Sequence, residues 1–262
     1  MIRIAAPPAA LTIGVLALAL AGCSSPAPAE ETPTADALSG TVTVFAAASL
    51  TETFDALATQ FEADHPGVNV VLNYGGSSAL ATQITEGAPA DVFAAASEAT
   101  MQTVVDAGGA SHPTIFTSNT LEIAVPPGNP AGVSGIADFA NKDLAIAICD
   151  TEVPCGAAAQ KLFDAAGVLA QPDTLEEDVK AVLNKVELGE ADAGLVYATD
   201  VLAAGDAVEG IVVPEAADVV NTYPIAALAD APNKDAADAW VDFILSDAGQ
   251  KALTDAGFGP AG

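Results

Sequence analysis

From residue 41 onward the chain alternates between short unbroken apolar runs and longer stretches whose apolar residues recur every three or four positions. The first kind fits a strand buried on both faces, and the second fits a helix with one face on a core. TVTVFAAA and VNVVLNY are predicted strands, and between them Leu50, Phe54, Leu57, Ala58 and Phe61 form one helical stripe that His65, Pro66 and Gly67 end. A second helix starts near Ser77 with Leu80 and Ile84 on one face, and GAPADVFAAAS supplies a turn and another buried strand.

The pattern then repeats in kind. LEIAV runs into the loop PPGNP, DLAIAIC is a strand, and GAAAQKLFDAAG is a helix closed by Gly167. EDVKAVLNKVELG carries Val179, Val182, Leu183 and Val186 in register, DAGLVYATD is a strand ending near Tyr197, and GIVVP is another. NTYPIAALAD returns toward a last helix, DAADAWVDFILSDAGQKALTDAGF, with Trp240, Phe243 and Ile244 as core. Alternation of this kind argues for α/β layering with largely parallel strands. Two lobes joined by two crossings, near 120–125 and 221–225, are the simplest organisation. Lobe 1 is assigned 41–122 with 225–262, and lobe 2 is assigned 123–224.

The first residues read as an address. Arg3, an apolar stretch over 11–20 and the tetrapeptide Leu20, Ala21, Gly22, Cys23 resemble a bacterial lipoprotein signal, with cleavage before Cys23 leaving that cysteine to carry the lipid. Residues 1–22 are then the signal. Residues 23–40, rich in Pro, Ala, Thr and Glu, are a disordered tether. No later segment is long and apolar enough to span a bilayer. The folded part is expected outside the cytoplasm, on the outer face of the cell membrane, attached only through the anchor.

Charge narrows the function. The mature chain has six lysines, no arginine and 35 acidic residues, a net charge of −29. Nucleic acid is excluded, because it demands a basic footprint. The forked guanidinium clamp for phosphate or carboxylate is missing too, so a bound anion must be held by neutral donors. Cys149 and Cys155 form a close pair, expected as a disulfide in an oxidising compartment, and neither His65 nor His112 has metal-ligand spacing to them.

Two serines stand where an apolar run gives way to a helix, Ser49 after TVTVFAAA and Ser77 after VNVVLNYGG. Hydroxyls there sit beside backbone N–H groups with no partner inside the helix, a cradle for a small anion. Ser49 with Glu52 also spells the SxxE capping box, so for Ser49 cap and ligand contact stand level. Ser77 has Leu80 three positions on, and its preceding glycines allow close backbone approach. As a serine nucleophile, GGSSA lacks the closing glycine of GxSxG, and no histidine is in a convincing context to serve as base.

TVTVFAAASLTETFDALATQF, GGSSALATQITEGAPADVFAAAS, VPCGAAAQKLF, EDVKAVLNKVELGEADAGLVYATD, YPIAAL and FILSDAGQKALTDAGFG together resemble the molybdate-binding proteins of bacterial molybdate ABC transporters, in order and over nearly all of the chain from Thr41. The resemblance implies a two-lobed periplasmic-binding fold of type II, each lobe a mostly parallel sheet flanked by helices, closing through a two-segment hinge on molybdate or tungstate. Residue by residue it implies hydroxyl and backbone N–H from Ser49 and Ser77, backbone N–H from Cys155 and Val179, and the phenol of Tyr197. It implies delivery to a membrane permease by a monomer without cofactor or bare metal ion. A receptor for another tetrahedral oxyanion such as sulfate, and a cell-envelope serine hydrolase, are the competing readings. Asp91, in APADVF, is expected to be structural, since a carboxylate beside a dianion would repel it.

Overall fold

The computed structural model describes residues 38–261. The signal, Cys23 and most of the tether lie outside those residues. Ten strands form two five-stranded sheets. In chain order the strands are β1 (Gly40–Ala47), β2 (Val68–Gly75), β3 (Val92–Ala94), β4 (Thr114–Asn119), β5 (Leu121–Val125), β6 (Ile146–Cys149), β7 (Thr174–Glu176), β8 (Ala193–Tyr197), β9 (Glu209–Val212) and β10 (Asn221–Ala227). The helices are α1 (Thr51–Asp64), α2 (Ser77–Thr85), α3 (Glu98–Asp106), α4 (Pro154–Ala166), α5 (Val179–Glu187), α6 (Ala198–Ala204), α7 (Lys234–Leu245) and α8 (Asp247–Asp255).

The first sheet runs β2-β1-β3-β10-β4 and the second β7-β6-β8-β5-β9. In each, four strands point one way and the fourth in order, β10 or β5, runs against its neighbours. The parallel pairings need helical crossovers, and α1, α2, α4 and α5 supply them. The chain leaves the first sheet at Thr120, between β4 and β5, and returns between β9 and β10. Asn221 and Tyr223 therefore belong to the first sheet.

Each half has its own core. Phe54, Phe61, Phe116 and Trp240 are fully buried beneath the first sheet, with Trp240 edge-on to both Phe54 and Phe61. Phe139, Leu162, Val182, Val186 and Val196 are equally buried in the second. Gly167 takes φ 66° and ends α4, as its position after the helical pattern predicted. Asp91 is buried and structural: its carboxylate accepts the N–H groups of Thr43 at 2.7 Å and Asn233 at 2.6 Å, tying β1 to the start of α7.

Two local expectations are overturned. The last helix is two helices, because Ser246 leaves helical geometry at ψ 164° and its hydroxyl accepts the Gly249 N–H, capping α8. The Ser49–Glu52 capping box does not form. Ser49 sits inside a 3₁₀ turn, Ala48–Leu50, ahead of α1, and no side chain caps that helix.

Candidate functional site

Ser49, Ser77, Cys155, Val179 and Tyr197 all line one cavity between the two sheets, together with Ala48, Gly75, Gly76, Ala96, Val153, Pro154 and Asp178. The cavity volume is about 20 Å³. Such a volume admits a few heavy atoms and excludes an organic solute of ordinary size.

Its walls are built from helix beginnings. Ser77 is the first residue of α2, Cys155 the second of α4 and Val179 the first of α5, so each presents a main-chain N–H that the helix itself leaves unpaired. Three positive helix ends thus converge on one small space. The Val179 side chain is buried in the core of its half, so core and cavity readings of this residue are compatible: the side chain packs while the N–H faces outward from the helix start. Asp178, the acidic residue on the wall, turns its Oδ1 to the Ala181 N–H at 2.9 Å and caps α5. No lysine lines the cavity.

The hydroxyls are held by second partners. Ser49 Oγ lies 2.9 Å from Tyr223 Oη, and Ser77 Oγ accepts the Ala96 N–H at 3.0 Å. Tyr197 Oη accepts from Asn221 Nδ2 at 2.7 Å. Burial, and then the neighbouring Tyr223 hydroxyl, hold Tyr197 well above the usual tyrosine range, and burial does the same for Tyr223. Both phenols are therefore protonated at neutral pH. Among the described residues neither serine is bonded to a histidine; their partners are Tyr223 and the Ala96 N–H.

The two halves touch around the cavity. Ser78 Oγ donates to the Glu152 carbonyl at 2.6 Å, and Lys180 Nζ pairs with Glu52 of α1 at 2.8 Å. Lys180 also lies 3.1 Å from Asp200, a fully buried carboxylate whose other oxygen accepts the Tyr197 N–H at 3.0 Å. Gly76 packs so closely on the Glu177 carbonyl that a Cβ would overlap it. On the far wall the disulfide Cys149–Cys155 closes the loop that leads into α4. Tyr223, Asn221, Lys180 and Asp200 carried no local signal in the sequence, since their partners are distant in the chain.

The chain matches the bacterial extracellular solute-binding protein model over residues 42–259. It is 44% identical over 245 residues to the molybdate-binding protein ModA of Mycobacterium tuberculosis, covering 93% of each chain. Among solved structures, the periplasmic molybdate-binding protein of Azotobacter vinelandii superposes with TM-score 0.73 at 21% identity, covering 83% of this chain and 98% of that one. The sulfate-binding protein SubI of M. tuberculosis reaches the same TM-score at 19% identity, covering 84% and 86%. Both structural likenesses speak to the fold alone, whereas the family match spans both sheets and every wall of the cavity. These relatives bind solutes and are not enzymes, and the chain belongs to the bacterial extracellular solute-binding protein family.

Proposed function

We propose that this chain is an extracytoplasmic receptor that captures molybdate, or tungstate, between its two halves and hands it to the permease of an ABC transporter. The observation that carries the reading is the wall chemistry: three helix N-termini, two serine hydroxyls and a protonated phenol meet in a space for a few atoms, with no basic side chain among them. A fully deprotonated dianion asks only for donors, and this wall supplies them in number, the one carboxylate on it, Asp178, being turned to cap α5. A protonated phosphate would also need an acceptor. Charge-assisted hydrogen bonds contribute about 1.5–3 kcal/mol each, so five to seven outweigh the cost of association and support roughly micromolar or tighter binding.

The 44% identity to a protein named for molybdate, against a shared fold alone with a sulfate-binding protein, supports molybdate over sulfate. Sulfate has the same charge and shape and differs in size, so rejection rests on how closely the halves approach. The lipobox around Cys23 supports anchoring at the membrane face, with the tether holding the receptor near its permease. Ser49 and Ser77 would serve the anion from the first sheet, and Cys155, Val179 and Tyr197 from the second.

Calorimetric titration of the mature domain with molybdate, tungstate, sulfate and phosphate tests this. Tight molybdate binding with weak sulfate and undetectable phosphate is expected. Sulfate binding as tightly as molybdate would refute the assignment.

A further inference from the structure

Asn221 opens β10, at the point where the chain comes back from the second sheet to the first. Its side-chain nitrogen lies 3.1 Å from the Ala96 carbonyl oxygen and 2.7 Å from Tyr197 Oη. A carbonyl can only accept, so the atom facing Ala96 is the amide nitrogen, and its two protons are both committed. One goes to Ala96 and the other to the phenol oxygen. With that oxygen already receiving, the Tyr197 proton must be given elsewhere. Tyr223, whose ring centre lies 6.0 Å from that of Tyr197, is one neighbour that can receive it, and a bound anion competes for it.

The opposite wall repeats the arrangement through the same residue. Ala96, whose carbonyl holds Asn221, gives its N–H to Ser77 Oγ. Ser77 therefore also receives one hydrogen bond from the protein and has its own proton to offer. One amide side chain and one peptide unit thus supply protons to the hydroxyls of both halves, each beneath a residue that lines the cavity.

We infer that Asn221 is a positioning residue for ligand selectivity: by occupying the acceptor position of Tyr197 it directs the phenol to act as a donor, which favours fully deprotonated tetrahedral anions over those carrying a proton. The inference rests on the oxyanion-receptor reading above. It goes further in assigning the preference to a residue that need not touch the ligand. Without the Asn221 amide, the Tyr197 oxygen has a free lone pair and can accept a hydrogen bond from the O–H of hydrogen phosphate.

The test is a double-mutant cycle on the ratio of molybdate to phosphate affinity, by calorimetry or ligand-induced thermal shift. Asn221→Leu in the wild-type background is expected to shrink that ratio by about tenfold or more, the share of one charge-assisted hydrogen bond. In a Tyr197→Phe background, where no phenol oxygen is left to accept, the same substitution is expected to move the ratio by less than about threefold. A ratio unchanged by Asn221→Leu, or shifted equally with and without the Tyr197 hydroxyl, overturns the inference. A loss of affinity equal for both anions does so too, since it would mark a purely structural role. Should Asn221→Leu fail to fold, Asn221→Ser shortens the side chain out of reach of Tyr197 and is read in the same cycle. A wild-type protein that binds no molybdate would instead sink the receptor reading itself, so the two failures are told apart.

Discussion

The Ser49 hydroxyl lies 2.9 Å from the Tyr223 hydroxyl, a contact between residues 174 positions apart that ties the turn after β1 to β10. It explains why Ser49 does not cap α1: its oxygen is bonded in the core of the first half, at the edge of the cavity. Tyr223 is fully buried and protonated, and so able to donate to Ser49. Tyr223→Phe removes that partner and frees the serine to rotate. We expect about 1 kcal/mol loss of stability and a three- to tenfold loss of molybdate affinity, read by thermal melting and titration.

Gly76→Ala separates closure from folding. Gly76 has φ −60° and ψ 126°, ordinary extended backbone, so alanine brings no strain of its own. The added Cβ would collide with the Glu177 carbonyl across the cavity. The variant should melt like the wild type without ligand, bind molybdate much more weakly, and fail to contract on adding molybdate in small-angle scattering.

Lys180 joins Glu52 of the first half to the buried Asp200 of the second. Burial works against its charge, but Asp200 and then Glu52 outweigh that and raise its pKa above the ordinary lysine range. Because the folded value is raised, the stabilisation is complete below the ordinary lysine range and disappears as pH climbs through the raised value. Lys180→Met should cost about 3–5 kcal/mol near neutrality by stranding Asp200, and Asp200→Asn in the same chain should recover much of it. Melting temperature followed from neutral to strongly alkaline pH should fall less steeply in Lys180→Met than in the wild type.

The Cys149–Cys155 disulfide closes the loop before α4, whose second residue brings its N–H to the cavity. By the loop-entropy model so small a ring contributes about 2 kcal/mol. Replacing both cysteines with serine should lower stability by that order and weaken molybdate binding by a smaller factor. Non-reducing mass analysis should show the two residues joined; two alkylatable thiols would contradict the structure.

Much of the fold was legible because its signals are local. Val42 to Ala47 form a strand sunk between layers, and Val179, Val182, Leu183 and Val186 fall on one helix face that the core of the second half covers. The break at Ser246 was also written locally, as a serine followed by Asp247 at the head of a new helix, but the apolar stripe running through Ile244 masked it. The SxxE motif at Ser49 misled because a hydroxyl has several possible partners, and a tertiary one displaced the local one. The partners of Tyr197, Ser49 and Glu52 could not be read from spacing at all. Asn221, Tyr223 and Lys180 reach them only after the chain has crossed between sheets, and nothing in their own chain neighbours announces such a contact.

The central claim is that neutral groups from two halves hold a doubly charged metal oxide without help from any cation. Co-crystallising the mature domain with molybdate and collecting anomalous data at the molybdenum edge tests it directly. We expect one dominant molybdenum peak within hydrogen-bonding reach, through its oxygens, of Ser49, Ser77 and Tyr197 and of the Cys155 and Val179 amides. A peak outside this cavity, or one beside a lysine, would contradict it.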